Sequence, residues 1–264
     1  MPYVKSEDAE IFYETVGDGA PIVLLHPFPV NHEFWKPASQ ALLTRYRLIL
    51  PDLRGHGDSG VGEGPATMQK HADDIARVMD DAGVSRAAFC GVSIGGYTLF
   101  EFWRRHRERV SSIVLCNTRA SADTSDGRTA RLKSDVEVVE RGTEQFFDDM
   151  LPKFIGETTR RTRPDLVDGA LRMMRKMSAE DVALVQRGMA ARPDSIEILK
   201  TISVPALIIA GEEDTLIGMA EAELMRQNIL RSRLKIIPKA GHYAPWERPK
   251  EVGDLLREFF DSAA

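Results

Sequence analysis

The sequence predicts an α/β protein: a largely parallel sheet with helices on both faces, interrupted by a helical insertion. Short apolar runs alternate with segments of helical period through residues 1–118 and again through residues 201–264. The runs are apolar throughout rather than at every second residue, as expected of strands covered on both faces and joined by right-handed helical crossovers. Between the two stretches, residues 119–200 carry helical period alone.

In chain order, Ile22 to Leu25, Leu48 to Leu53, Ala87 to Val92 and Ile113 to Cys116 read as strands. Phe34 to Leu43, Met68 to Ala82 and Tyr97 to Trp103 read as the helices between them. In the insertion, Phe146, Met150 and Phe154 recur every fourth residue, as do Phe147, Leu151 and Ile155. Leu166, Val167, Ala170, Leu171 and Met174 mark a second apolar helix face. Pro164 suits a first helical turn, and Ser178 suits an N-cap before Val182, Val185 and Met189. The alternation resumes with a strand at Ala206 to Ala210, a helix from Met219 to Leu230, a strand at Leu234 to Ile237 and a closing helix from Pro249 to Phe260.

Composition sets limits on function. Forty-three percent hydrophobic and 28% charged residues describe a folding globular chain, not a disordered one. With 35 basic against 40 acidic residues and a net charge of -5, the chain lacks the basic footprint of a nucleic-acid binder. Cys90 and Cys116 lie within apolar runs and read as small buried hydrophobes rather than a disulfide. The N-terminal Met-Pro-Tyr-Val-Lys-Ser-Glu-Asp has no apolar stretch of signal-peptide length, and the longest apolar run, Val204 to Ala210, is too short to span a membrane. The expected location is the cytoplasm. No Cys/His cluster has zinc-like spacing and no Gly-rich phosphate loop follows a strand, so no metal or organic cofactor is expected. Oligomeric state is not legible. The insertion carries fifteen basic and fifteen acidic residues, with no hint of a highly charged substrate. It also holds five of the ten methionines, suited to filling a core or to lining an apolar pocket adaptably.

Chemistry concentrates at Gly91-Val92-Ser93-Ile94-Gly95-Gly96, between an apolar strand and a helix-period segment. That context makes G-x-S-x-G a nucleophile elbow: a sharp turn holds Ser93 at positive φ, and glycine at 91 and 95 lets strand and helix close together. A serine needs a base. Of six histidines, His71 and His106 lie in polar or basic helical stretches and read as solvated, while His26, His32 and His56 precede Ser93. His242 alone follows the last apolar strand, where a loop at the carboxyl edge of the sheet is expected. Asp214, after the strand Ala206 to Ala210, is the acid expected to orient it, with Glu212 and Glu213 as competitors. Ser93 is expected within hydrogen-bond reach of His242, and His242 in contact with Asp214.

With these residues in place, the chain resembles the α/β-hydrolase superfamily over nearly its whole length. Four motifs in the family's order carry the resemblance: His26-Pro27-Phe28-Pro29, Asp52-Leu53-Arg54-Gly55-His56-Gly57-Asp58-Ser59-Gly60, the elbow, and Gly241-His242. The resemblance implies an eight-stranded, mostly parallel sheet with an antiparallel strand near the N-terminus, residues 1–118 and 201–264 as core, and residues 119–200 as a helical cap. It also implies an oxyanion hole from the amides of Phe28 and Ile94. The family usually has Gly where Pro27 stands, but the lost amide is not the donor. The stretch from Arg54 to Ser59 reads as a structural turn.

Dehalogenases and epoxide hydrolases of this fold use Asp at the elbow, and the latter use cap tyrosines; here Ser93 stands at the elbow and residues 119–200 contain no Tyr. The implied reaction is hydrolysis of a small-molecule carboxylic ester or lactone, acyl-homoserine lactones included, through an acyl-enzyme on Ser93. Perhydrolase or cofactor-free haloperoxidase activity and carbon–carbon bond hydrolysis use the same residues. A non-catalytic ligand receptor is the alternative of another class. The pocket under the cap is expected to be apolar and to favour uncharged acyl groups.

Overall fold

The computed structural model describes residues 2–263. Its single sheet has eight strands: β1 Tyr3–Ser6, β2 Ala9–Val16, β3 Ala20–Leu25, β4 Tyr46–Pro51, β5 Ala87–Val92, β6 Val110–Cys116, β7 Ala206–Gly211 and β8 Ser232–Ile237. Their order is β1-β2-β4-β3-β5-β6-β7-β8. Strands β1, β2 and β4 pair antiparallel, and every pair from β4 onward is parallel. The expected α/β-hydrolase architecture is therefore present.

That order positions the site. The chain leaves β3 for β4 on one side, whereas it leaves β5 for β6 on the other. The loops after β3 and β5 thus diverge from adjacent strands, opening a crevice at their carboxyl ends. Phe28 follows β3 and Ser93 follows β5, so both border it. Asp214 follows β7 and His242 follows β8, at the same edge.

The apolar runs form the core: Ile22 to Leu25, Phe89, Cys90, Ile113 to Cys116 and Ile208 are all buried, and both cysteines are free thiols. Helix Met68–Asp81 is capped by Thr67, and helix Ala179–Ala190 by a reciprocal Ser178–Asp181 capping box. Pro164 opens helix Pro164–Met174 as its shape requires. No strand lies between β6 and β7, where the chain is helical at Ser125–Arg141, Thr143–Phe154, Glu157–Thr162, Pro164–Met174, Ala179–Ala190 and Ile196–Leu199.

Three expectations need correction. Phe34 to Leu43 is not one helix but a 3-10 turn, His32–Trp35, followed by the short helix Lys36–Ser39. Pro37, with no amide hydrogen, cannot continue a helix back through the turn. His71 is not solvated: it shares the buried face of its helix with Ala72, Ile75, Val78 and Met79. Burial pushes its pKa well down, and neither ring nitrogen has a protein partner among the described residues. His106 is half-buried, packed on Phe102 and 3.4 Å from Asp73.

The Arg54 stretch has the structural character its sequence suggested. The Arg54 side chain is fully buried; its Nε and Nη2 donate to Asp74 at 2.9 and 2.7 Å, and Nη1 donates to Asp8. It ties the loop after β4 to helix Met68–Asp81 and to the β1–β2 turn. Replacing Arg54 with Met leaves Asp74 buried without its counter-charge, and we expect a loss of about 3–5 kcal/mol in urea unfolding. The double substitution Arg54→Met, Asp74→Leu should recover much of it, because both charges are then gone.

Candidate active site

Ser93 has φ 54° and ψ -114°, a conformation that is costly for any residue with a β-carbon. Close packing enforces it. A β-carbon on Gly91 would lie 2.5 Å from the Gly95 carbonyl, and one on Gly95 would lie 2.5 Å from the Leu25 oxygen. The turn is pinned from β6, where Ser93 N donates to the Cys116 carbonyl at 3.1 Å and Thr118 Oγ1 donates to the Ser93 carbonyl at 2.8 Å. Helix Ile94–His106 then begins at Ile94, whose amide points out of the first turn with no protein acceptor among the described residues.

His242 Nδ1 lies 2.8 Å from Asp214 Oδ2, with both side chains almost wholly buried. The carboxylate is fully occupied. Leu216 N and Ile217 N donate to Oδ1 at 2.8 and 3.1 Å, and Asn117 Nδ2 donates to Oδ2 at 2.7 Å. Burial alone would raise the Asp214 pKa; the adjacent His242 and these hydrogen bonds outweigh it and bring it below the usual carboxylate value. Asp214 is therefore ionised at neutral pH. An ionised acceptor at Nδ1 fixes the proton there and leaves the Nε2 lone pair free.

The competing carboxylates are engaged elsewhere. Glu213 accepts from Thr158 N at 2.8 Å and from the Thr158 hydroxyl, and Glu212 accepts from Lys239 N at 3.0 Å. Neither bonds to His242.

Ser93 and His242 line one cavity. The expected hydrogen bond between them is not formed, and no protein acceptor is bonded to the Ser93 hydroxyl among the described residues. A serine hydroxyl is a free rotor, and such contacts often tighten only around substrate.

Phe28, which lines the same cavity, sits in a clamped loop. His26 Nδ1 donates to the Pro27 carbonyl at 2.9 Å while its Nε2 accepts from Leu53 N at 2.9 Å, so His26 is a neutral brace. Burial lowers its pKa to about 3, in keeping with that role. Tyr243 Oη donates to the Phe28 carbonyl at 2.9 Å, linking this loop to the one bearing His242. The Phe28 amide has no protein acceptor among the described residues.

The helical segment closes the cavity from above. Met150, Phe154 and Met189 contribute apolar lining, whereas Met173, Met174 and Met177 fill the core, so the methionines serve both of the roles their content suited. The segment is held to the His242 loop by Glu247, a buried carboxylate accepting from Gly156 N at 3.0 Å and Gly241 N at 2.9 Å, and by stacking of Phe154 on Tyr243. The lining is not wholly apolar, however. Arg119, Arg131 and Gln186 also face it, which the neutral charge of residues 119–200 concealed.

Asn117, Thr118, Arg119, Tyr243 and Glu247 all escaped the sequence reading. Only Tyr243 carried a usable signal, its place beside His242.

Comparison with known proteins fits this geometry. The family model described as "alpha/beta hydrolase fold" matches residues 20–249. The chain is 29% identical over 241 residues to 3-oxoadipate enol-lactonase 1 of Acinetobacter baylyi, covering 91% of this chain and 88% of that one. It is 30% identical over 277 residues to a non-heme haloperoxidase of Rhodococcus erythropolis, covering 99% and 100%. Among solved structures, a malate-bound thermophilic esterase from Thermogutta terrifontis superposes with TM-score 0.95 at 33% identity, covering 99% and 98%. No helix among the described residues is long and apolar enough to cross a membrane. The eight-stranded sheet and the family model that matches most of the length agree: the chain belongs to the α/β-hydrolase fold family.

Proposed function

We propose that the protein hydrolyses small carboxylic esters or lactones through an acyl-enzyme on Ser93, with residues 119–200 as a cap over residues 1–118 and 201–264. The observation that carries this reading is the 2.8 Å contact of Asp214 with His242, which lines the same cavity as Ser93. Esterase and enol-lactonase relatives support the acyl chemistry.

In the first half-reaction, Ser93 Oγ bonds to the substrate carbonyl carbon as its proton passes to His242 Nε2. The carbonyl oxygen becomes an oxyanion facing the amides of Phe28 and Ile94. When the ester C–O bond breaks, the departing alkoxide takes the proton from His242. In the second, water attacks the acyl carbon and gives its proton to His242; the Ser93 oxygen leaves and recovers that proton. In a lactone the leaving alcohol stays attached to the acid. Hydrogen peroxide in place of water yields a peracid, which would relate this chemistry to the haloperoxidase relative.

A fluorophosphonate should label one residue per chain, Ser93, with loss of p-nitrophenyl ester turnover in proportion. In a crystal of the adduct the phosphoryl oxygen should lie about 2.7–3.1 Å from both Phe28 N and Ile94 N. Absence of labelling together with absence of turnover on esters and lactones, with and without peroxide, would leave a ligand receptor as the better reading.

A further inference from the structure

Arg119 and Arg131 both line the cavity beside Ser93. Arg131 and Arg192 both bind one carboxylate, Asp123, at 2.7 Å. Arg131 also donates to Gln186, and Arg192 lies over the Tyr97 ring with its centre 4.3 Å from the centroid. The nearby Glu221 accepts from the Ser121 hydroxyl at 2.6 Å through Oε1, while its Oε2 is buried without a hydrogen-bond partner and it forms no ion pair among the described residues. Asp214 is fully used by His242, Asn117 and two amides. Arg119 is left over. It has no ion-pair partner among the described residues, and its one hydrogen bond is from Nη2 to the Leu216 carbonyl, 3.1 Å away. Its Nε is sealed from solvent with no acceptor among the described residues.

A shielded guanidinium N–H without a partner is costly, and the group that satisfies it best is a planar anion accepting two parallel hydrogen bonds. Arg119 reaches the cavity from the loop directly after β6, and Arg131 faces the same space. We propose that Arg119, supported by Arg131, binds a carboxylate on the substrate, so that the preferred substrates are half-esters of dicarboxylic acids or lactones bearing a free carboxylate. The inference rests on the acyl-transfer reading above and reverses the expectation of an uncharged acyl group.

The test compares mono-p-nitrophenyl glutarate with p-nitrophenyl hexanoate, which differ mainly in the terminal carboxylate. The wild-type kcat/KM ratio of anionic to neutral ester is expected above about tenfold, and Arg119→Gln should lower that ratio by about 10- to 100-fold. Arg119→Lys should fall between, since an ammonium keeps the charge but loses the fork. Glutarate should also inhibit wild-type turnover competitively, more weakly as salt is raised. A wild-type preference for the hexanoate, or a ratio unmoved in Arg119→Gln, overturns the proposal. If Arg119→Gln does not fold, the wild-type ratio and the glutarate inhibition decide. If neither ester is turned over, the acyl-transfer reading falls, and calorimetric titration of glutarate into the wild-type protein and Arg119→Lys still decides whether the anion site exists.

Discussion

Replacing Ser93 with Ala should lower kcat on any ester the protein hydrolyses by about 10³- to 10⁶-fold, while the fold stays intact. The size of the loss follows from covalent catalysis: without Oγ no acyl-enzyme forms, and what survives is the contribution of the oxyanion hole and of binding. The intact fold follows from the structure. Ser93 is only 9% exposed, but its hydroxyl bonds to no protein group among the described residues, and the turn is held through the Ser93 backbone. Stability should therefore change by less than about 1 kcal/mol. Ser93→Gly should be equally inactive yet more stable than Ser93→Ala by about 1 kcal/mol, because glycine adopts φ 54° without strain. Near-wild-type ester turnover in either variant, with kcat measured at saturating substrate, would falsify the acyl-enzyme mechanism.

The features legible in the sequence are those whose physics is local or fixed by chain order. The elbow is legible because close approach of strand, turn and helix demands glycine at fixed offsets from Ser93, as the 2.5 Å clearances at Gly91 and Gly95 bear out. The His242–Asp214 contact is legible because both residues follow strands of one parallel sheet and so arrive at one edge. Residues whose role depends on neighbours distant in sequence are not. Asn117 looks like any strand-end residue until β6 is placed beside β7, which leads into the loop bearing Asp214. His71 sits next to Lys70 in the chain, yet the helix turns it inward with Ala72 and Ile75. Helix Ser125–Arg141 escaped notice because it buries only Asp135 and Val138 and is held partly by the Arg187–Asp135 ion pair, leaving no apolar stripe to read. Arg119 was hidden by averaging: the insertion is neutral in sum, whereas the part of it facing Ser93 is not.

Asp214→Asn should cost about 10³- to 10⁴-fold in kcat, and the geometry says why so small a change has so large an effect. Two backbone amides, Leu216 N and Ile217 N, donate to Oδ1. In the variant they hold the amide oxygen at that position, which places the new NH₂ group where Oδ2 accepted from His242. An NH₂ there donates to Nδ1, so the imidazole proton moves to Nε2, the atom that must receive the proton of Ser93. The base is then present in the wrong tautomer, a defect that costs about 10⁴-fold in serine hydrolases generally. The same NH₂ faces Asn117 Nδ2, donor against donor, so some destabilisation accompanies the loss. Fluorophosphonate labelling should slow in step with kcat, since both need Ser93 deprotonated. Glu213→Gln, by contrast, touches only the Thr158 contacts and should leave kcat within a few-fold of wild type. If Asp214→Asn kept full activity while Glu213→Gln lost it, the orienting acid would be Glu213, and the 2.8 Å contact at His242 would be structural.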